Sequence, residues 1–154
     1  MTKADIYAQT AKEIAAVLEG EGNLTAQMAT VSCLLAQAFP DNIWTGFYIV
    51  DPEKPQELVV GPYQGTLGCL RIPFGKGVCG AAAATLETQL VHDVHEFEGH
   101  IACDSRSVSE VVVPVRNAQG DLLAVLDIDS PDAGTFDQTD GEWLERIIAD
   151  VFGG

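Results

Sequence analysis

The chain has 154 residues, 47% of them hydrophobic and 20% charged, enough for one domain with a sizeable core and too few for two. Its formal net charge of −15 repels phosphate backbones and anionic lipid, which argues against nucleic acid and membrane surfaces as partners and suits a cationic or zwitterionic ligand. Residues 1–20 are interrupted by charge, unlike a secretory signal, and no run reaches membrane-spanning length. The expected compartment is therefore the cytoplasm, where thiols stay reduced unless they do redox work.

Two helices are predicted first. Tyr7, Ala11, Ile14 and Leu18 recur at helical spacing, and "GEGN" ends that run. Asn23 or Thr25 can cap a second helix, with Leu24, Met28, Val31, Leu35 and Phe39 along one stripe and Pro40 closing it. The middle of the chain reads as strands. "NIWTGFYIV" (42–50) and "ELVVGPYQG" (57–65) are rich in β-formers, and "DPEKPQ" between them is turn chemistry. "GCLRIPFG" reads as a short strand, and "GKGVCGAAAAT" passes from a glycine turn into a helix. "ETQLVHDV" reads as another strand, followed by the polar loop "HEFEGHIACDSRS", a type of segment that commonly carries function. "SEVVVPVRN" and "LLAVLDIDS" are two further strands joined as a hairpin at "AQGD". A last helix is expected to start with Thr139 and Glu142 as a T-x-x-E capping box and to bury Trp143, Leu144, Ile147, Ile148 and Val151. The expected architecture is an α+β domain, an antiparallel sheet with helices packed on it.

The four cysteines are Cys33, Cys69, Cys79 and Cys103, and none forms a C-x-x-C pair. Cys33 lies within the second helix and reads as a small core or boundary residue. The other three sit at glycine-rich or polar junctions: "TLGCLR", "KGVCGA" and "IACDSR". Placement alone is compatible with three unrelated thiols and with a redox set, because reactivity depends on thiolate pKa and access. A reducing thiol would need a second thiol to resolve its sulfenic acid before over-oxidation. His92, His95, His100 and Cys103 offer metal ligands, but their spacing matches no common zinc signature. Asp127 and Asp129 are two apart and so share one face of a strand, as either a solvated strand end or a cation-binding face. Glu110 is ambiguous in the same way, and Trp44 reads by default as core.

Taken together, "IWTGFY", "GPYQGTLGCLRIPFGKGVCG", "ETQLVHDVHEFEGHIACDSRSVSEVVVPV" and "AVLDIDSP" resemble the free methionine-(R)-sulfoxide reductases, which are single GAF domains. The likeness runs in order over residues 40–152, and ordinary GAF sensors do not carry this set of cysteines and acids. It implies one GAF domain over residues 1–154: N-terminal helices in 1–40, sheet and active-site loops in 42–130, and a closing helix in 139–152. It implies Cys103 as nucleophile, Cys69 as resolving cysteine and Cys79 as an auxiliary thiol able to pair when Cys69 is missing. Glu110, Asp127 and Asp129 would bind the substrate's ammonium and sulfoxide, and Trp44 would wall the pocket against its methyl group.

The implied activity is thiol-dependent reduction of free L-methionine-(R)-sulfoxide. It would run through a cysteine sulfenic acid and an intramolecular disulfide recycled by thioredoxin, with NADPH and thioredoxin reductase behind it. No bound cofactor or metal is expected, and a homodimer is left open. An acid must protonate the departing sulfoxide oxygen; Glu110 is the first candidate and Asp129 the next. The rival expectation is a GAF module that binds a small ligand and senses redox state without turnover.

Overall fold

The computed structural model describes residues 1–100 and 105–153. Helices α1 (Lys3–Val17) and α2 (Leu24–Ala38) come first, then strands β1 (Trp44–Asp51), β2 (Lys54–Gly65) and β3 (Arg71–Pro73). Helix α3 (Gly77–Thr85), strands β4 (Gln89–Val91), β5 (Ser109–Arg116) and β6 (Leu122–Ser130) and helix α4 (Gln138–Phe152) complete it. The strands form one antiparallel sheet in the order β3-β2-β1-β6-β5-β4.

The alternation of side chains along β1, β5 and β6 decides what each face does. Phe47, Val111, Val113, Leu126 and Ile128 point to one side, where they pack with Tyr7, Met28, Leu35, Leu144 and Ile147 from α1, α2 and α4. Leu126 is fully buried there, and truncating it to alanine would cost about 2–5 kcal/mol. The alternate residues Tyr48, Val112 and Val125 point to the other side, where α3 lays Val78, Cys79, Ala82 and Ala83 over them. Three helices thus cover one face, and the shorter α3 covers part of the second. The polar residues of the sheet on that second face are left beside the start of α3.

The helix starts follow capping chemistry. Asn23 caps α2, its side chain accepting from Ala26 N–H. Helix α4 departs from expectation: its cap is Asp137, which forms a capping box with Asp140, so the helix begins ahead of the Thr139–Glu142 pair. A D-x-x-D pair can satisfy the same two backbone donors as T-x-x-E.

Two strands also differ from expectation. The β1–β2 turn is confined to Pro52 and Glu53, because Asp51 pairs with Lys54 and its carboxylate accepts from Glu53 N–H. Arg71 on β3 pairs with the same carboxylate and fixes the hairpin end. The strand expected over 87–94 shrinks to Gln89–Val91, since the Asp93 side chain accepts from His95 N–H and starts a 3-10 turn, Val94–Glu96.

Candidate active site

The β5–β6 hairpin sets the acidic wall. Asn117 closes its turn by accepting from the N–H groups of Gln119 and Asp121, with Gly120 in the left-handed region at φ 85°. The register that follows puts Glu110 opposite Asp129 and Val112 opposite Asp127. Strand β1 adds Trp44 opposite Asp129. Period-two alternation then turns Glu110, Asp127, Asp129 and Trp44 to the same face, around a pocket that all four line. Trp44, Glu110 and Asp127 are each 4–5% exposed, and Asp129 keeps partial exposure.

Helix α3 supplies the opposite wall. Gly75 ahead of it and Gly77 at its first position have φ of 81° and 63°, values that a β-branched or bulky residue resists. They turn the chain so that the start of α3, with no side-chain cap, faces the acids. Cys79 on its first turn is buried, and its thiol donates to Glu110 Oε2 at 3.8 Å.

An aromatic stack brings Trp44 and Tyr48 to the pocket lining. Trp44 lies between Tyr48 (centroids 5.1 Å apart, planes at 15°) and Tyr63 (4.9 Å, 22°). The segment after β2 crosses this stack at Gly68, where a Cβ would come within 2.9 Å of Tyr48 Oη and 3.1 Å of the Trp44 ring. The neighbouring Cys69 N–H donates to the Tyr48 hydroxyl. Cys69 therefore borders the pocket, and it is disulfide-bonded. Cys33 and Cys79 are free thiols. Cys103, the expected nucleophile, lies outside the described residues.

The electrostatics are those of crowded acids out of water. Burial, then the charges of Asp129 and Glu110, pushes the Asp127 carboxyl well above the usual carboxylate range. Burial and Glu110 do the same to Asp129, against a hydrogen bond from Ser107 Oγ at 3.1 Å. Burial, Asp127 and Glu110 raise the Cys79 thiol, which disfavours its thiolate. Carboxyls raised in this way hold their protons to higher pH than free carboxyls and are suited to donate them. Two buried polar atoms, Trp44 Nε1 and Asp127 Oδ1, have no hydrogen-bond partner among the described residues. A buried donor and acceptor without partners are costly to fold around and are ready to bond a polar ligand.

The fold gathers Trp44, Cys69, Cys79, Glu110, Asp127 and Asp129 from five separate segments around one pocket. It does not gather the histidines. His95 pairs with Asp93 at 2.8 Å, the His92 ring packs beside Gly134, and His100 alone of the three lines the pocket. Cys33 lies partly exposed on α2, its sulfur accepting from Gln37.

Sequence reasoning missed Tyr48, Lys76 and Ser107 as pocket residues. Tyr48 was within reach, since it stands four residues from Trp44 on one strand and so shares its face. Lys76 and Ser107 sit in loops, where no periodicity reports direction.

Residues 25–151 match the GAF domain family, so fold and pocket define the chain as a GAF domain. Within that fold it belongs to the free methionine-R-sulfoxide reductases, a family of oxidoreductases. It is 40% identical to the free methionine-R-sulfoxide reductase of Escherichia coli over 98% of this chain and 89% of that protein. It is also 40% identical to that of Saccharomyces cerevisiae, over 96% of this chain and 84% of that protein. It superposes on the structure of the Neisseria meningitidis free methionine-R-sulfoxide reductase in complex with its substrate with a TM-score of 0.93, at 41% identity, covering 98% of this chain and 89% of that one. Among the described residues no helix is long and apolar enough to cross a membrane.

Proposed function

We propose that this protein reduces free L-methionine-(R)-sulfoxide to L-methionine. One observation carries the reading: a buried pocket holds acids raised by burial, an indole N–H and a carboxyl oxygen without partners among the described residues, and a disulfide-bonded cysteine at its rim. A zwitterionic sulfoxide presents the groups such a pocket takes. Its ammonium pairs with the carboxylate that stays ionised among Glu110, Asp127 and Asp129. Its carboxylate meets Lys76 and the uncapped start of α3. Its methyl group lies against the Trp44–Tyr48 stack. A peptide-bound methionine sulfoxide lacks the charged amine, so the acids select the free amino acid.

The Cys103 thiolate attacks the sulfoxide sulfur while an acid protonates the oxygen. The sulfur–oxygen bond breaks as the hydroxyl passes to the Cys103 sulfur, the transient bond between the two sulfurs breaks, and methionine leaves with Cys103 as a sulfenic acid. The raised carboxyls of Asp127 and Asp129 are the proton carriers this reading favours, and Glu110 stands beside them as a partner for the ammonium. The Cys69 thiol condenses with the sulfenic acid, giving a disulfide and water. A dithiol then exchanges with that disulfide, is itself oxidised, and returns both cysteines to thiols. Thioredoxin, re-reduced by thioredoxin reductase with NADPH, is the dithiol this cycle uses, and the cytoplasm is the compartment that supplies it. Cys79, buried and held protonated, stands by as an auxiliary thiol.

The test is methionine formation from separated R and S forms of the free sulfoxide and from its N-acetylated form, driven by dithiothreitol. The reading expects product from the free R form and little from the other two. Folded, reduced protein that binds the R form without converting it would instead favour a ligand-sensing GAF module.

A further inference from the structure

The pocket contains a set of ligand atoms that the reductase cycle does not use together. Cys79 Sγ and one carboxylate oxygen each from Glu110 and Asp127 lie within 4.8 Å of one another, all three residues buried. Asp127 is 4% exposed, and its Oδ1 has no hydrogen-bond partner among the described residues. We propose that these three side chains bind a borderline-soft divalent cation of the zinc class, and that the bound ion keeps substrate out.

The donor set points to that class. One thiolate and two carboxylates leave a fourth position open, the arrangement of three protein ligands plus water that tetrahedral Zn²⁺ adopts. Magnesium and calcium take six or more oxygen ligands and gain nothing from sulfur. The paired strands β5 and β6 place the two acids across from α3, so small side-chain rotations close the set around an ion. The ion replaces the thiol proton, which leaves to solvent as the metal–sulfur bond forms. Glu110 and Asp127 are also the carboxylates proposed to meet the substrate's ammonium, so cation and substrate compete for them. Binding stands whether or not the chain turns over substrate; the competition rests on the reductase reading.

The oxidised chain isolates the test, because Cys69 is then in a disulfide and the free thiols among the described residues are Cys33 and Cys79. A Cys33→Ser protein, left unreduced, is titrated with Cd²⁺, whose thiolate complexes absorb in the ultraviolet. The expected result is a cadmium–thiolate band saturating at one ion per chain, abolished by adding Cys79→Ser and weakened about tenfold or more in affinity by adding Asp127→Asn. A band that survives Cys79→Ser, a missing band in the Cys33→Ser protein, or an affinity indifferent to Asp127→Asn would overturn the site. Circular dichroism confirms that each variant is folded, and the isosteric Asp127→Asn decides the matter if Cys79→Ser is not. In the turnover assay, driven by a trialkylphosphine in place of dithiothreitol so that no dithiol sequesters the ion, Zn²⁺ is expected to raise KM for the sulfoxide without changing kcat. Inhibition with KM unchanged would overturn the competition while leaving the cadmium result and the reductase reading intact.

Discussion

Glu110 and Asp129 stand directly opposite each other across the β5–β6 ladder. Like-charged residues in that relation weaken a sheet, and Asp127, one pleat along on the same face, adds a third acid. The fold therefore carries a destabilising cluster at its centre, and its cost should be measurable.

The cost depends on pH. Burial and its neighbours raise the Asp127 carboxyl in the native state. Between the unfolded value of about 3.9 and the raised native value, the native chain keeps a proton that the unfolded chain has released. Stability therefore falls as pH rises through that window. Asp127→Asn removes this titration. The variant is expected to be more stable than the parent at neutral pH, by about 1 kcal/mol, and equal to it in acid below both values. Thermal denaturation at the two pH values checks the sign, and the same variant is expected to lose activity.

Gly68 gives a steric prediction. A Cβ there would come within 2.9 Å of Tyr48 Oη and 3.1 Å of the Trp44 ring, so Gly68→Ala must shift either the Cys69 segment or the stack. A displacement of about 1 Å at a reacting group can cost up to 100-fold in rate. The expected outcome is a drop of at least tenfold in kcat/KM with a melting temperature close to the parent's, read by steady-state kinetics and calorimetry.

A contrasting effect is expected on the far face of the sheet. Tyr7 Oη donates to Asp140 Oδ1 at 2.6 Å, and Lys3 Nζ meets the other oxygen at 2.7 Å. Asp140 is 2% exposed. Tyr7→Phe leaves a buried carboxylate short of one donor, for a loss of about 1–3 kcal/mol. Chemical denaturation is expected to show that loss, and kcat/KM is expected to stay unchanged because the sheet separates this pair from the pocket.

Thiol reactivity should separate two cysteines. Cys79 is buried, and burial with Asp127 and Glu110 disfavours its thiolate, whereas Cys33 is partly exposed on α2. In the oxidised chain, iodoacetamide near neutral pH is expected to label Cys33 well before Cys79, with Cys79 catching up only in alkali. Peptide mapping after timed quenching reads the order.

Much of this was legible in the residues, and the parts that were not share a cause. The alternation in "LLAVLDIDS" already placed Asp127 and Asp129 on one face, and the adjacent hairpin put Glu110 within a short chain of them. Trp44 joins the acids through the β1–β6 pairing, a contact between distant segments that no local period reports. The same holds for Cys79, which reaches Glu110 because α3 packs across β5 and β6. The helix α4 start was misplaced because Thr139 and Glu142 fit a capping pattern that Asp137 and Asp140 fit as well. The choice between them lies with the Lys3 and Tyr7 contacts that hold Asp140.

The central claim is that substrate oxygen passes to Cys103 and leaves as water when Cys103 and Cys69 form a disulfide. A single-turnover experiment addresses it most directly. Fully reduced protein is mixed with one equivalent of free methionine-(R)-sulfoxide and no external reductant, quenched in acid, and mapped by mass spectrometry. The account predicts one methionine per chain, two thiols lost, and a Cys69–Cys103 cross-link with Cys79 still a thiol. No methionine, or methionine formed with the cross-link running through Cys79 in the unsubstituted chain, would contradict it.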